Sequence, residues 1–305
     1  MSPETAVGVE PAVAPYPGGM PTGASAPLTG ASAGESQLRR NLRRFLIGNK
    51  LNLIGLIIVV VFFVLAVFGQ ALAPYDPYAQ DITGSKLLPP DLAHPMGTDE
   101  LGRDLFSRVM AGTRISLQVA AVVLSFAVVF GTLVGSVAGY FGGIVDEILM
   151  RFTDMFLAFP ALILAIAIAA SLGRELHWTM VALATVFWPW YARLVRGQIL
   201  SIRERDYVAA AESIGLSGPR LLVRHILPNA ISVVIIQLTL DVGYAILATS
   251  SLSFIGLGAQ PPSPEWGTMM STARNYFREA WWYTTFPGLA LTLTVFAFNV
   301  LGDGL

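Results

Sequence analysis

Three histidines, two lysines and no cysteine bound the chemistry open to this chain. His94, His177 and His225 stand in three different segments between long apolar runs, so a metal cluster is not expected. Without cysteine there is no thiolate ligand, disulfide or thiol nucleophile. A phosphate-cradling P-loop needs a lysine followed by Ser or Thr, yet Lys50 and Lys86 are each followed by leucine. An aspartyl protease needs two facing carboxylates, whereas Asp241 stands inside an apolar run and Asp303 at the end of another. A serine enzyme needs a base within reach, and no histidine lies inside an apolar run. The chain therefore reads as a non-enzyme with no cofactor of its own. Asp241, with Gln237 one turn earlier, is the residue pair left for a binding role. A carboxylate within a membrane is costly unless it faces protein or water. Asp241 either lines a pathway or bonds a neighbouring helix; both readings stand.

The elements that must position these residues are membrane helices. The chain is 54% hydrophobic and 13% charged, against about 25% charged in soluble domains. Its net charge of −1 gives no reason to expect a nucleic-acid partner. The fold class is all-α, a polytopic protein in the lipid bilayer. Six segments approach the ~20 residues a span needs: 51–72, 115–140, 155–171, 178–200, 231–257 and 284–302. Arg39, Arg40, Arg43, Arg44 and Lys50 precede the first, and Arg203, Arg205, Arg220 and Arg224 follow the fourth. The positive-inside rule puts both groups, and both chain ends, in the cytoplasm. Residues 1–37, rich in Pro, Gly, Ala and Ser, read as a disordered tail without the apolar core of a signal peptide; residues 38–305 form the membrane domain.

The loop 201–228 carries the short stretch "RDYVAAAESIG". As a helix it puts Tyr207, Ala210, Ala211 and Ile214 on one side and Val208, Ala209 and Glu212 elsewhere. Asp206 suits an N-cap, Gly215 a left-handed C′ position, and Leu227-Pro228 the first turn of the next span. Such a helix either lies on the membrane as a connector or fills a groove in another protein; its small residues favour close packing against protein. A second amphipathic helix is expected outside the membrane, with Ser263 as N-cap, Pro264 at N1 and Glu265 in the first turn. It would place Trp266, Met269, Met270, Ala273, Phe277 and Trp281 on one face, as an aromatic anchor or as an external gate or docking surface. Gly131, Gly135 and Gly139 form a small-residue stripe that permits close helix packing.

"YVAAAESIGLSGPRLLVRHILPN" resembles the EAA loop of ABC-transporter permeases, with Ala210, Ala211, Gly215, Leu227 and Pro228 matching and Ala209 and His225 departing. "MGTDELGRDLFSRVMAGTRISL", "GYFGGIVDEILMRFTDMFLAFP" and "SLSFIGLGAQPPSPEWGTMM" are similar to the second permease subunit of the dipeptide/oligopeptide (and nickel) importer branch. The resemblance runs from Leu38 to Leu305. It implies that Asp206–Gly215 is a coupling helix docking on an ATP-hydrolysing subunit. It further implies a homologous second permease, two ATPase subunits holding ATP and Mg, and an extracytoplasmic substrate-binding protein. The implied place is a bacterial cytoplasmic membrane. The implied cargo is a di- or oligopeptide, with nickel chelates or oligosaccharides as the alternative. A self-sufficient secondary transporter would show internal repeats or several buried charges, and neither is evident.

Overall fold

The structure, a computed structural model, describes residues 50–304. The expected tail and the basic group 39–44 lie outside the described residues. Ten α-helices follow in chain order among the described residues: α1 Lys50–Leu72, α2 Leu105–Phe141, α3 Gly143–Leu157, α4 Ala161–Leu172, α5 Leu176–Arg203, α6 Asp206–Ser213, α7 Gly218–Leu221, α8 Leu227–Phe254, α9 Trp266–Ala273 and α10 Trp281–Gly304. An isolated bridge joins Thr98 and Asp104.

The core is a seam between α2 and α5. The glycine stripe lies along it and meets the α5 backbone in a matching four-residue register. A β-carbon on Gly131 would come within 2.6 Å of the Trp188 carbonyl oxygen, and one on Gly139 within 3.1 Å of that of Arg196. One on Gly135 would collide with the Ala192 carbonyl. The stripe thus serves packing inside this chain. Arg203 closes the seam by donating to the carbonyls of Gly139 (3.3 Å) and Tyr140 (2.8 Å), which ended α2 without helical partners.

Four helical runs are long and apolar enough to cross a membrane: α1, α2, Gly218–Phe254 and α10. α3 and α4 would add a fifth only as one broken span, because they meet at 83°. The segment 155–171 expected as a continuous span runs through this break. Pro160 lacks the N–H that would continue α3, and it restricts Phe159 ahead of it. α5 covers the expected fourth span but is not among the four runs. Its Trp, Tyr, Pro and Arg residues lower its hydropathy, and it is instead buried against its neighbours, with Tyr191, Ala192, Val195 and Ile199 fully enclosed. α8 stops at Phe254 rather than 257, where Gly256 takes φ +86° and the Leu257 N–H returns to the Leu252 carbonyl.

The basic stretch ahead of Pro228 is helical, not an open linker. α7 passes into a π-turn, Leu222–Ile226, and then into α8. Pro228 explains the wider turn: its ring would press on the carbonyl four residues back, and it brings no N–H. The Asn229 side chain instead donates to the His225 carbonyl at 2.6 Å.

Candidate functional site

At the end of the bundle where α2 finishes, α6 sits between α5 and α7. Its N-cap is Arg205, in extended conformation and without a side-chain bond, so Asp206 is the first helical residue and not the cap. A carboxylate there still favours the helix through the N-terminal dipole. With the cap one residue earlier, Ala209 falls outside the capping-box position. The C-terminus matches expectation. Gly215 has φ +84°, its N–H reaches the Glu212 carbonyl (2.9 Å), and the Leu216 N–H reaches that of Ala211 (3.2 Å). These two bonds form a Schellman turn. Val208 is fully buried and anchors the helix, while Ala211 is half-buried against the same core. Tyr207, Ala210, Ile214 and Gly215 are exposed. Ala211 therefore leaves the open face expected for it, and Val208 supplies the buried one. Leu227 is half-buried and Pro228 exposed at the start of α8.

Two cavities open between α5 and α8. One, of about 170 Å³, is lined by Ala161, Val186, Phe187, Trp190, Asp241 and Tyr244. The other, of about 280 Å³, is lined by Trp190, Arg193, Leu194 and Gln237. Gln237, Asp241 and Tyr244 recur at helical spacing on one face of α8, as Val186, Trp190 and Arg193 do on α5. Gly243 turns away from this face and packs on Val295 of α10. Gln237 Nε2 donates to Asp241 Oδ1 at 3.0 Å. The fully buried Tyr191 hydroxyl approaches the Asp241 carboxylate without reaching hydrogen-bond geometry. Arg193 pairs with Asp154 at 2.6 Å, and Arg196 grips Asp146 through two contacts of 2.5 and 2.6 Å, tying α3 to α5. Sequence reasoning found Gln237 and Asp241. It missed Trp190 and Tyr244, whose only signal was an aromatic one turn or so from a polar residue within a span.

At the other end, the "MGTDELGRD" segment forms a buried ionic cluster. Asp99 binds Arg103 at 2.6 Å and lies 3.4 Å from Arg108. Arg103 also reaches Glu100 (3.1 Å), which accepts from the Tyr283 hydroxyl of α10. Asp104 caps α2 by accepting from the Ser107 N–H at 2.7 Å and meets His94 at 2.8 Å. In the loop before it, Ser85 and the Gly84 N–H hold the exposed Asp81 carboxyl below its usual range. α9 belongs to the same end. Its N-cap is Glu265, not Ser263: the buried carboxylate accepts from the Thr268 N–H (2.9 Å) and from Ser250 on α8 (2.7 Å). The expected single apolar face is divided, because the helix ends at Ala273. Trp266 and Met269 are buried, and the Trp266 indole donates to the Val109 carbonyl at 3.1 Å. Phe277 and Trp281 are exposed. Among the described residues no group of three His, Cys, Asp or Glu is placed to hold a metal.

The family model described as "binding-protein-dependent transport system inner membrane component" matches residues 131–305. That of the "N-terminal TM domain of oligopeptide transport permease C" matches residues 36–90. The chain is 46% identical to the probable D,D-dipeptide transport system permease protein DdpC of Escherichia coli, over 85% of this chain and 86% of that protein. It is 43% identical to the dipeptide permease DppC of Alkalihalophilus pseudofirmus, over 84% of each. It is 41% identical to the nickel permease NikC of Escherichia coli, over 83% of this chain and 91% of that one. A solved structure of the MetNI methionine ABC transporter, in inward-facing form, aligns at a TM-score of 0.52 and 17% identity, covering 64% of this chain and 93% of that one. That last likeness concerns the fold alone.

Proposed function

Because the chain belongs to the family of binding-protein-dependent transport system inner membrane components, we propose that it forms half of a translocation pathway for di- or oligopeptides. It is the membrane permease subunit of an ABC importer and not the subunit that hydrolyses nucleotide. In this reading α6 is the coupling helix, docking through Tyr207, Ala210 and Ile214 on an ATPase subunit that holds ATP and Mg. A homologous permease completes the pathway, with a second ATPase beneath it and an extracytoplasmic binding protein above. Of Trp266, Met269 and Phe277, Phe277 is the one exposed to meet that binding protein. Six spans, the α3–α4 pair and α5 included, leave both ends on the cytoplasmic side of a bacterial inner membrane.

The observation that carries this reading is the placement of α6 between the two helices that line the cavities. α5 brings Trp190 and Arg193 and runs into α6 after two residues, Glu204 and Arg205. The helical run Gly218–Phe254 leads from the far side of α6 to Gln237 and Asp241. A displacement of α6 therefore reaches both cavity walls through short connections, Glu204-Arg205 on one side and the turn at Gly215 on the other. A short helix held by Val208 and the half-buried Ala211 would move as one piece under load. Nickel chelates are the second cargo reading, favoured by the NikC relative.

Uptake of radiolabelled Ala-Ala, in cells lacking other peptide importers and expressing this chain with its partner subunits, tests the cargo. ATP-dependent accumulation is expected; accumulation of nickel and no dipeptide would replace the peptide reading. The native chain has no cysteine, so single introduced cysteines test the orientation. A membrane-impermeant thiol reagent should label Leu92→Cys and spare Ser217→Cys in intact cells, and the reverse pattern would invert the topology.

A further inference from the structure

We propose that Asp241 receives a positively charged side chain of the cargo, such as a lysyl ammonium, as the peptide passes between α5 and α8. The assignment rests on the peptide reading above and adds a selective residue to it.

Asp241 is half-buried on the wall of the 170 Å³ cavity. It takes part in none of the ion pairs formed among the described residues. The groups facing it from its own helix and from α5 are neutral: Gln237 donates to it, and the Tyr191 hydroxyl approaches it. The Gln237 amide orients the carboxylate, and neither group neutralises it. Arg193, the base on the α5 wall, opens on the neighbouring cavity and is already held by Asp154.

A carboxylate with no cation in a largely apolar setting is costly, and a transient ammonium relieves that cost. The cavity adds aromatic walls. Trp190 is 58% and Tyr244 48% exposed, so both rings are open to a cation that stops beside the acid. Release stays easy, because the Gln237 amide still donates to the carboxylate once the cation leaves. Conduction requires that balance, favourable entry with an exit that is not blocked. An acidic side chain meets the opposite field: Asp241 repels it, and Arg193 is held by Asp154.

The test compares maximal uptake rates for radiolabelled Lys-Ala, Ala-Ala and Glu-Ala, each at saturating concentration, in the complete importer. The binding protein is unchanged throughout, so any shift in the rate ratios arises in the permease. In Asp241→Asn the Lys-Ala to Glu-Ala ratio should fall about fivefold or more, and in Asp241→Glu it should stay at the wild-type value. An unchanged ratio in Asp241→Asn, with the protein at its normal membrane level, overturns the assignment. If that variant is lost from the membrane, Tyr244→Arg decides, since it sets a fixed cation beside an intact acid: a lowered ratio supports the assignment and an unchanged one rejects it. Wild-type cells that import none of the three dipeptides would reject the peptide reading and this assignment with it, before any variant is made.

Discussion

The two ends of the bundle are held in opposite ways. At the end where α2 begins, Asp99, Arg103, Asp104 and Arg108 are each 3% exposed or less: Asp99 pairs with Arg103 and Arg108, Asp104 caps α2, Arg108 reaches the carbonyls of Pro77 and Pro262, and the adjoining Glu100 accepts from Tyr283 of α10. At the end where α2 finishes, α6 hangs on Val208 and a Schellman turn, with Ile214 79% exposed. Buried charge networks tolerate little change, because removing one partner strands another in low dielectric. A short helix with few buried contacts belongs to the low-stability part of a structure, from which moving elements are drawn. The first end is thus a fixed frame. The second presents an open face.

Substitutions should separate the two ends by what they break. The largest loss of stability is expected for Asp99→Ala, which leaves the Arg103 and Arg108 guanidiniums buried without their shared carboxylate. A cost of about 3–5 kcal/mol would be seen as poor membrane yield and a lowered Tm in detergent. Gly135→Leu comes next, forcing α5 away from α2 at a cost of about 1–3 kcal/mol, read in the same thermal scan. Gly215→Val is milder. Apart from its chain neighbours, no atom lies within 4 Å of a β-carbon at this position, so the main cost is the left-handed backbone, about 1–2 kcal/mol and local to the α6–α7 turn. Ala210→Trp, on the exposed face, should change stability by no more than about 0.5 kcal/mol. A large Tm loss in Ala210→Trp, or none in Asp99→Ala, would erase the contrast between frame and open face.

What the residues made legible follows from how local each cause is. Gly215 was readable because a C′ glycine answers to its own helix end. The glycine stripe was readable as a packing surface, though not which helix it packs on. The caps of α6 and α9 shifted by one or two residues, because the choice of cap depends on distant partners: Glu265 is fixed by Ser250, 15 residues back. The inward turn of Val208 depends on what packs beneath α6, and the pattern of small residues pointed to the wrong side for Ala211. Pro160 was visible, yet an apolar run on both sides of it reads as one span unless the missing N–H is given its full weight. The ionic cluster was least legible, since Glu100 and Tyr283 stand 183 residues apart. For the cavities, Asp241 and Gln237 stood out as polar residues in an apolar run, whereas Trp190 and Tyr244 look like ordinary membrane aromatics until α5 and α8 are set side by side.

The open face of α6 is, in the proposed function, a docking face. The most direct measurement is co-purification of the ATPase subunits with tagged Ala210→Trp, alongside ATP-driven uptake, with the untouched chain as reference. The variant should reach the membrane at the normal level and keep its Tm, while ATPase recovery and uptake both fall by at least about tenfold, the factor that corresponds to ~1.4 kcal/mol of lost docking. Full ATPase recovery with full uptake would contradict it, and α6 would then be a surface connector between α5 and α8.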